Sequence, residues 1–248
     1  MRFFITLDGR KLKHRFIFIG IAFFTALFFY SQSTFHIPVL QEANTTSKAI
    51  YKGEKGIALT FNISWGEVQA KPILDLLEKN KVRAATFFVS GAWAEKNPDT
   101  IEHIQKLGYE IGSLGYAYED YTELDESKVR QDILKGIESL QKLDIKEIRY
   151  IRSPTGHFDE RTLKIASQLG VTLIHWSINS DDWKNPGTEV IIEKVNKAKD
   201  GDIVLLHASD SATQTEKALP SIIEENKNKF VSLESLISNG KVKTKTID

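Results

Sequence analysis

The chain contains no cysteine, which excludes a disulfide framework, a cysteine nucleophile and a thiolate metal site. Any metal would have to be held by His, Asp or Glu. Nor is there an excess of charge of either sign, since 33 Lys and Arg balance 33 Asp and Glu over 248 residues. A nucleic-acid binder ordinarily shows a basic footprint, so no nucleic-acid partner is expected. Internal repeats and low-complexity tracts are missing as well. Hydrophobic residues at 41% and charged residues at 27% are values of a globular chain and exclude wholesale disorder. The length suits one or two domains.

The first feature present is a local charge asymmetry. Residues 1–15 carry Arg2, Arg10, Lys11, Lys13 and Arg15 against the single acid Asp8. From Phe16 to Tyr30 the chain reads FIFIGIAFFTALFFY, and the next formal charge is Glu42. This run with its uncharged extension lies near the lower length for a bilayer-spanning helix. The basic flank sets the N-terminus inside the cell and the rest of the chain outside. The expected layout is a cytoplasmic basic segment (1–15), a transmembrane signal-anchor (16–33), a linker (34–52), a barrel domain (53–238) and a polar tail (239–248). That makes a single-pass protein of the cell membrane with an extracytoplasmic domain. A cleaved secretory signal has the same order of parts, although no small-x-small cleavage site follows the apolar run. A buried soluble helix is the third reading.

From Lys52 onward, strand and helix patterns alternate. IALTFNI (57–63) reads as a buried strand. Residues 69–80 follow as a helix with Ala70, Ile73, Leu74 and Leu77 on one face. Further strands are expected at 85–90, 109–113, 148–152, 171–178 and 202–207, and helices at 98–107, 125–143, 159–169, 188–199 and 215–226. FVSLESLI supplies a last strand and a short helix. About seven β/α units in succession point to an α/β fold, a distorted parallel (β/α) barrel preceded by one membrane helix. An open doubly wound sheet is the alternative, and in both architectures ligands sit at the C-terminal ends of the strands.

The residues at those strand ends are distinctive: TFNISWG at 60–66, SLGYAYEDY at 113–121, RSPTG at 152–156, NSDDW at 179–183 and LLHASDS at 205–211. In order and spacing they resemble the NodB-type polysaccharide deacetylases, carbohydrate esterase family 4, over about residues 55–236. Within that family the chain looks most similar to the sporulation-specific PdaB-like subgroup, through its short N-terminal apolar segment and its HASDS-QTEKALP stretch. The resemblance implies a distorted parallel barrel and an enzyme that removes N-acetyl groups from sugars with a divalent metal, ordinarily zinc. It also implies a cell-wall glycan or peptidoglycan partner, a membrane partner through the N-terminal helix, and a role in sporulation.

The same resemblance assigns positions. An Asp pair after the first strand supplies the general base and one metal ligand, and an H-x-x-x-H pair supplies the other ligands. This chain has Asn62 at the base position, Ile63 at the metal-Asp position, and Leu114 and Tyr118 at the two His positions. An amide has no usable proton affinity near neutral pH. A dication held against Ile, Leu and Tyr would lose its water without gaining charge or lone pairs in return. No cofactor is therefore expected. Arg152 and Asp182 stand where the family positions its base, and His207 stands where it protonates the leaving amine. Arg152 and Asp182 read either as a pair beneath the old base position or as a structural ion pair. His207 reads either as a retained acid or as a hydrogen-bonded strand-end residue.

Among the other histidines, His175 alternates with Ile174 and Trp176 on a strand, so a core position is expected for it. His157 follows the RSPTG turn, and a substitute metal cage of His157, His207 and Asp182 is conceivable from ligand types alone. Trp65, Trp183, Tyr118 and Pro154 are the candidates for a glycan groove, because aromatic faces pack on the apolar faces of sugar rings. Trp93 and Trp176 are expected in the core. Two functions remain open: a pseudoenzyme that binds cell-wall glycan or an unidentified protein partner and serves structurally in spore maturation, and an amide hydrolase working atypically through His207, Arg152 and Asp182.

Overall fold

The computed structural model describes Thr25, residues 48–238 and residues 242–245. The chain divides into two units, 1–41 and 42–248. The expected membrane segment 16–33 lies, Thr25 aside, outside the described residues. Among the described residues no helix is long and apolar enough to cross a membrane.

The second unit runs β1 (Ala49–Lys52), β2 (Ile57–Ile63), α1 (Ala70–Lys79), β3 (Thr86–Val89), α2 (Gly91–Ala94), α3 (Pro98–Lys106), β4 (Glu110–Ser113), α4 (Glu126–Gln141) and β5 (Tyr150–Ile151). It continues with α5 (Glu160–Gln168), β6 (Thr172–Leu173), β7 (Ile178–Asn179), a 3-10 turn (Asp182–Lys184), α6 (Thr188–Val195), β8 (Ile203–His207), α7 (Thr215–Asn226), β9 (Phe230–Val231), α8 (Leu233–Ser238) and β10 (Lys243–Lys245). Seven strands pair in the order β6-β5-β4-β3-β2-β8-β7, all parallel, into a curled half-barrel, and β9 pairs with the start of β2.

Side-chain parity on these strands sorts the core into two layers. On β2, Ile57, Leu59, Phe61 and Ile63 join the layer that also holds Leu74, Leu77, Ile101 and Ile222 from the helices. Ala58, one step out of phase, joins Phe88, Leu114, Ile174 and Ile203 in the barrel interior. Period two of a strand dictates this split. Phe61 and Phe87 stack across β2 and β3 with ring centroids 5.1 Å apart, and each such buried side chain contributes about 1.5–3 kcal/mol. Asp125 caps α4 by accepting from the Lys128 N–H, and Asp159 caps α5 by accepting from the Thr162 N–H. Each cap satisfies a helix-end donor that has no partner within the helix.

Three expectations are corrected. The continuous run 171–178 is not one strand but two, β6 and β7, at opposite edges of the sheet. The curl brings those edges to face each other, and residues 174–177 cross the gap: the Ile174 N–H reaches Ile151 O and the Ser177 N–H reaches Ile203 O. His175 lies in this crossing and lines the cleft described below, rather than the core. Finally, the expected linker and tail contain β1 and β10, which pair antiparallel, and β1 also touches the crossing where the His175 N–H donates to Ile50 O at 2.7 Å. Four-residue AIYK and three-residue KTK are too short to announce themselves by alternation.

Gly136 shows how tightly the second motif is seated. A Cβ there would stand 2.6 Å from the Gly115 carbonyl carbon and oxygen, so α4 lies directly against the turn that leads to Tyr118. Gly136→Val should cost about 1–3 kcal/mol by overpacking, read as a lowered melting temperature. An unchanged melting temperature would mean that α4 is not held against this turn.

Candidate functional site

A cleft of about 560 Å³ opens at the C-terminal ends of the strands, lined among others by Asn62, Trp65, Tyr118, Pro154, Trp183 and His207. Strand parity builds its floor. Asn62 is in phase with inward-facing Ala58, and β2–β8 register sets Asn62 directly beside His207. Arg152 follows β5 immediately and takes the place beneath them.

Arg152 is 1% exposed. Its Nη1 donates to Asn62 Oδ1 at 2.9 Å, its Nε to Ile174 O and its Nη2 to His175 O at 3.3 Å each. The guanidinium lies 4.1 Å from the Phe88 ring centroid and 5.5 Å from that of Trp176. No carboxylate pairs with it among the described residues, and burial pushes the group down to about 9, so it stays charged at neutral pH. The expected Arg152–Asp182 pair is therefore not formed. Asp182 opens the 3-10 turn after β7, the strand next to β8, and so reaches His207 instead.

The Asp182 carboxylate is fully buried and saturated. It accepts from His207 Nδ1 at 2.7 Å, the His207 N–H at 2.7 Å, the Thr215 hydroxyl at 2.6 Å and the Trp183 N–H at 3.0 Å. Since a carboxylate only accepts, His207 carries its proton on Nδ1 and turns Nε2 to the cleft. Thr215, the first residue of α7, carried no sequence signal for this role.

Of the three positions where the family resemblance calls for metal ligands, the structure brings only Tyr118 to the cleft. Ile63 is fully buried in the helix-facing layer and Leu114 in the barrel interior. Tyr118 sits at the mouth with φ +60°, a left-handed conformation that costs a non-glycine residue about 1–2 kcal/mol. Among the described residues no three His, Asp or Glu side chains stand close enough together to hold a metal ion. The donor set does not fit a divalent cation. The conceivable cage of His157, His207 and Asp182 is not assembled, because His157 pairs with Asp120 at 2.6 Å and Asp182 is spent on His207.

The aromatic candidates divide as expected in part. Trp65 is 57% and Trp183 49% exposed at the mouth. Trp93 is core, with its indole N–H bonded to Gly66 O. Trp176, expected in the core, is half-buried, stacks on His175 with ring centroids 3.9 Å apart, and lines the cleft. Two carboxylates that read as ordinary polar residues in the sequence shape the rim. Asp210 accepts from the N–H groups of Glu67, Val68 and Gln69 and so fixes the Trp65 loop. Asp132, on α4, accepts from the Tyr116 and Ala117 N–H groups and the Tyr121 hydroxyl. Only helical phase could have pointed to Asp132, and nothing in the sequence to Asp210.

The rim also contains a titrating contact. Desolvation acts upward on the Asp120 carboxyl, but hydrogen bonds from Thr122 and His157 outweigh it and bring the group from 3.8 to about 2. A carboxyl whose folded value is depressed stabilises fully above its ordinary value, and that contribution fades as pH falls through the folded value. Asp120→Asn should therefore lower the melting temperature at neutral pH, with the difference from wild type closing as pH falls from about 4 toward 2. A difference that persists unchanged at pH 2 would contradict the assignment.

Residues 49–174 match the polysaccharide deacetylase family. The chain is 36% identical over 191 residues to a peptidoglycan-N-acetylglucosamine deacetylase of Bacillus cereus, covering 74% of this chain and 89% of that protein. Its fold superimposes on a carbohydrate esterase family 4 pseudoenzyme from Bacillus anthracis with a TM-score of 0.73 at 27% identity, covering 81% of this chain and 73% of that one. A mutant of that pseudoenzyme with restored enzymatic activity is similar at a TM-score of 0.71 and 28% identity, over 78% and 72% of the two chains. Strand-end motifs, half-barrel and similarity agree that this chain belongs to the polysaccharide deacetylase family.

Proposed function

We propose that this protein binds cell-wall glycan through the deacetylase cleft without carrying out the family's metal-dependent deacetylation. The observation that carries the reading is the floor: an amide at the base position hydrogen-bonded to a buried guanidinium, with apolar side chains at two of the family's ligand positions. A base and a metal-bound nucleophile together supply many kcal/mol of barrier lowering, and neither has its donor atoms here. The similarity to a family pseudoenzyme supports the same reading. The exposed Trp65, Trp183 and Tyr118 around the mouth suit pyranose stacking. The apolar run behind five basic residues supports a membrane tether that holds the domain at the outer face of the membrane. A role in spore-wall maturation rests on the subgroup resemblance alone.

A second reading keeps one specific observation, the intact Asp182–His207 hydrogen bond, which would let His207 protonate a leaving amine. Acetate release from N-acetylglucosamine oligomers and peptidoglycan separates the two. Wild type and Asn62→Asp should both release none above background, with or without added zinc, because the single change returns a base but no metal-bound water. Release by wild type that is abolished in His207→Ala would establish the second reading. Release by Asn62→Asp alone would refute the argument from the missing ligands.

For binding, Trp65→Ala and Trp183→Ala should each weaken affinity for chitooligosaccharide by roughly tenfold. Their melting temperatures should stay unchanged, because both residues are about half exposed. Unchanged affinity in both variants would remove the aromatic rim from the account.

A further inference from the structure

An Asp at position 62 would present a carboxylate oxygen, an acceptor, to the cleft. In this chain the polarity of that atom is reversed. Arginine only donates, so the hydrogen bond from Arg152 Nη1 obliges Asn62 to turn Oδ1 downward. The Nδ2 donors then face the cleft, which Asn62 lines although the residue is 2% exposed. Nδ2 has no partner among the described residues. Beside it His207 offers Nε2, since Nδ1 is committed to Asp182. The floor thus presents a buried amide donor next to one ring nitrogen that accepts when the imidazole is neutral, above a guanidinium that no carboxylate balances among the described residues.

An uncleaved acetamido sugar matches this floor. Its carbonyl oxygen accepts from Asn62 Nδ2, and an N–H or hydroxyl of the same residue donates to His207 Nε2. A deacetylated glucosamine does not match. Its ammonium group has only donors to offer, so even if it donates to His207 Nε2 it leaves the Asn62 donor unpaired and sits near the Arg152 charge in a poorly solvated site. A site that leaves a buried donor unpaired discriminates strongly against the ligand that fails to pair it. We infer that the cleft reads the acetylation state of the glycan, binding the intact N-acetyl group and rejecting the free amine, with Asn62 as the specificity-determining residue. This rests on the glycan-binding reading above and adds to it the chemical group that is recognised.

The test is calorimetric titration of the full chain, in mild detergent, with chitotetraose and with its fully deacetylated counterpart. Wild type should prefer the acetylated oligomer by about tenfold, the worth of one buried hydrogen bond. Asn62→Asp should lose or reverse that preference, because a carboxylate repels the carbonyl and attracts the ammonium. This variant should fold at least as stably as wild type, since it gives Arg152 a counter-charge. Asn62→Ala, which removes the donor and adds no charge, should shrink the preference without reversing it. Equal binding of the two oligomers by wild type, or a preference that both variants retain, would overturn the inference and leave the glycan-binding reading standing. Failure to bind either oligomer would overturn that reading, and this inference with it.

Discussion

The hydrogen bond from Arg152 to Asn62 is the contact on which the rest of the cleft depends. A guanidinium buried to 1% exposure loses the hydration of a full charge, and the ordinary compensation is a carboxylate. Here it is compensated by three oxygen acceptors and two aromatic faces. The acceptors come from β2 and from the crossing between β6 and β7, so the cation also ties one side of the curled sheet to the segment that bridges its gap. The same bond decides which end of the Asn62 amide a ligand meets, and thereby the chemistry of the floor.

Around that contact the chain has the deacetylase-family fold, with Asn62, Ile63 and Leu114 at positions where the resemblance implies reactive groups. Asp182 spends four hydrogen bonds on His207, Thr215 and its own turn, an arrangement that holds the imidazole rigidly whatever the imidazole then does. Asp132 and Asp210 shape the loops that carry Tyr118 and Trp65. Inward and outward parity on β2 keeps Asn62 at the floor and sends Ile63 into the helix layer. A framework built from parity, caps and loop-fixing carboxylates does not depend on a metal. It stands without such donors, and it carries the aromatic mouth of Trp65, Trp183 and Tyr118.

Most of this architecture was legible in the sequence because long elements carry strong periodic signals. Strand 57–63 and helix 215–226 stand where their patterns place them, and α1 buries Ala70, Ile73, Leu74 and Leu77 as its spacing requires. What escaped was set by tertiary context. Apolar run 171–178 carries no mark of the point where it leaves one sheet edge for the other. AIYK and KTK are too short for periodicity. In the site, the identities of Asn62, Arg152, Asp182 and His207 were readable, but their pairing was not: ion-pair logic joins Arg152 to Asp182, whereas strand order places Asp182 next to β8 and leaves Arg152 to an amide. The cleft position of His175 and the rim role of Asp210 depend on long-range neighbours that no local pattern encodes.

Among the described residues this cleft mouth lacks the donors to grip a dication. Zinc content, measured by mass spectrometry on the full chain after equilibration with excess zinc and gel filtration, tests it most directly. Zinc should stay at background level, unchanged in His207→Ala. One tightly held ion per chain, lost when a cleft side chain is replaced, would contradict it.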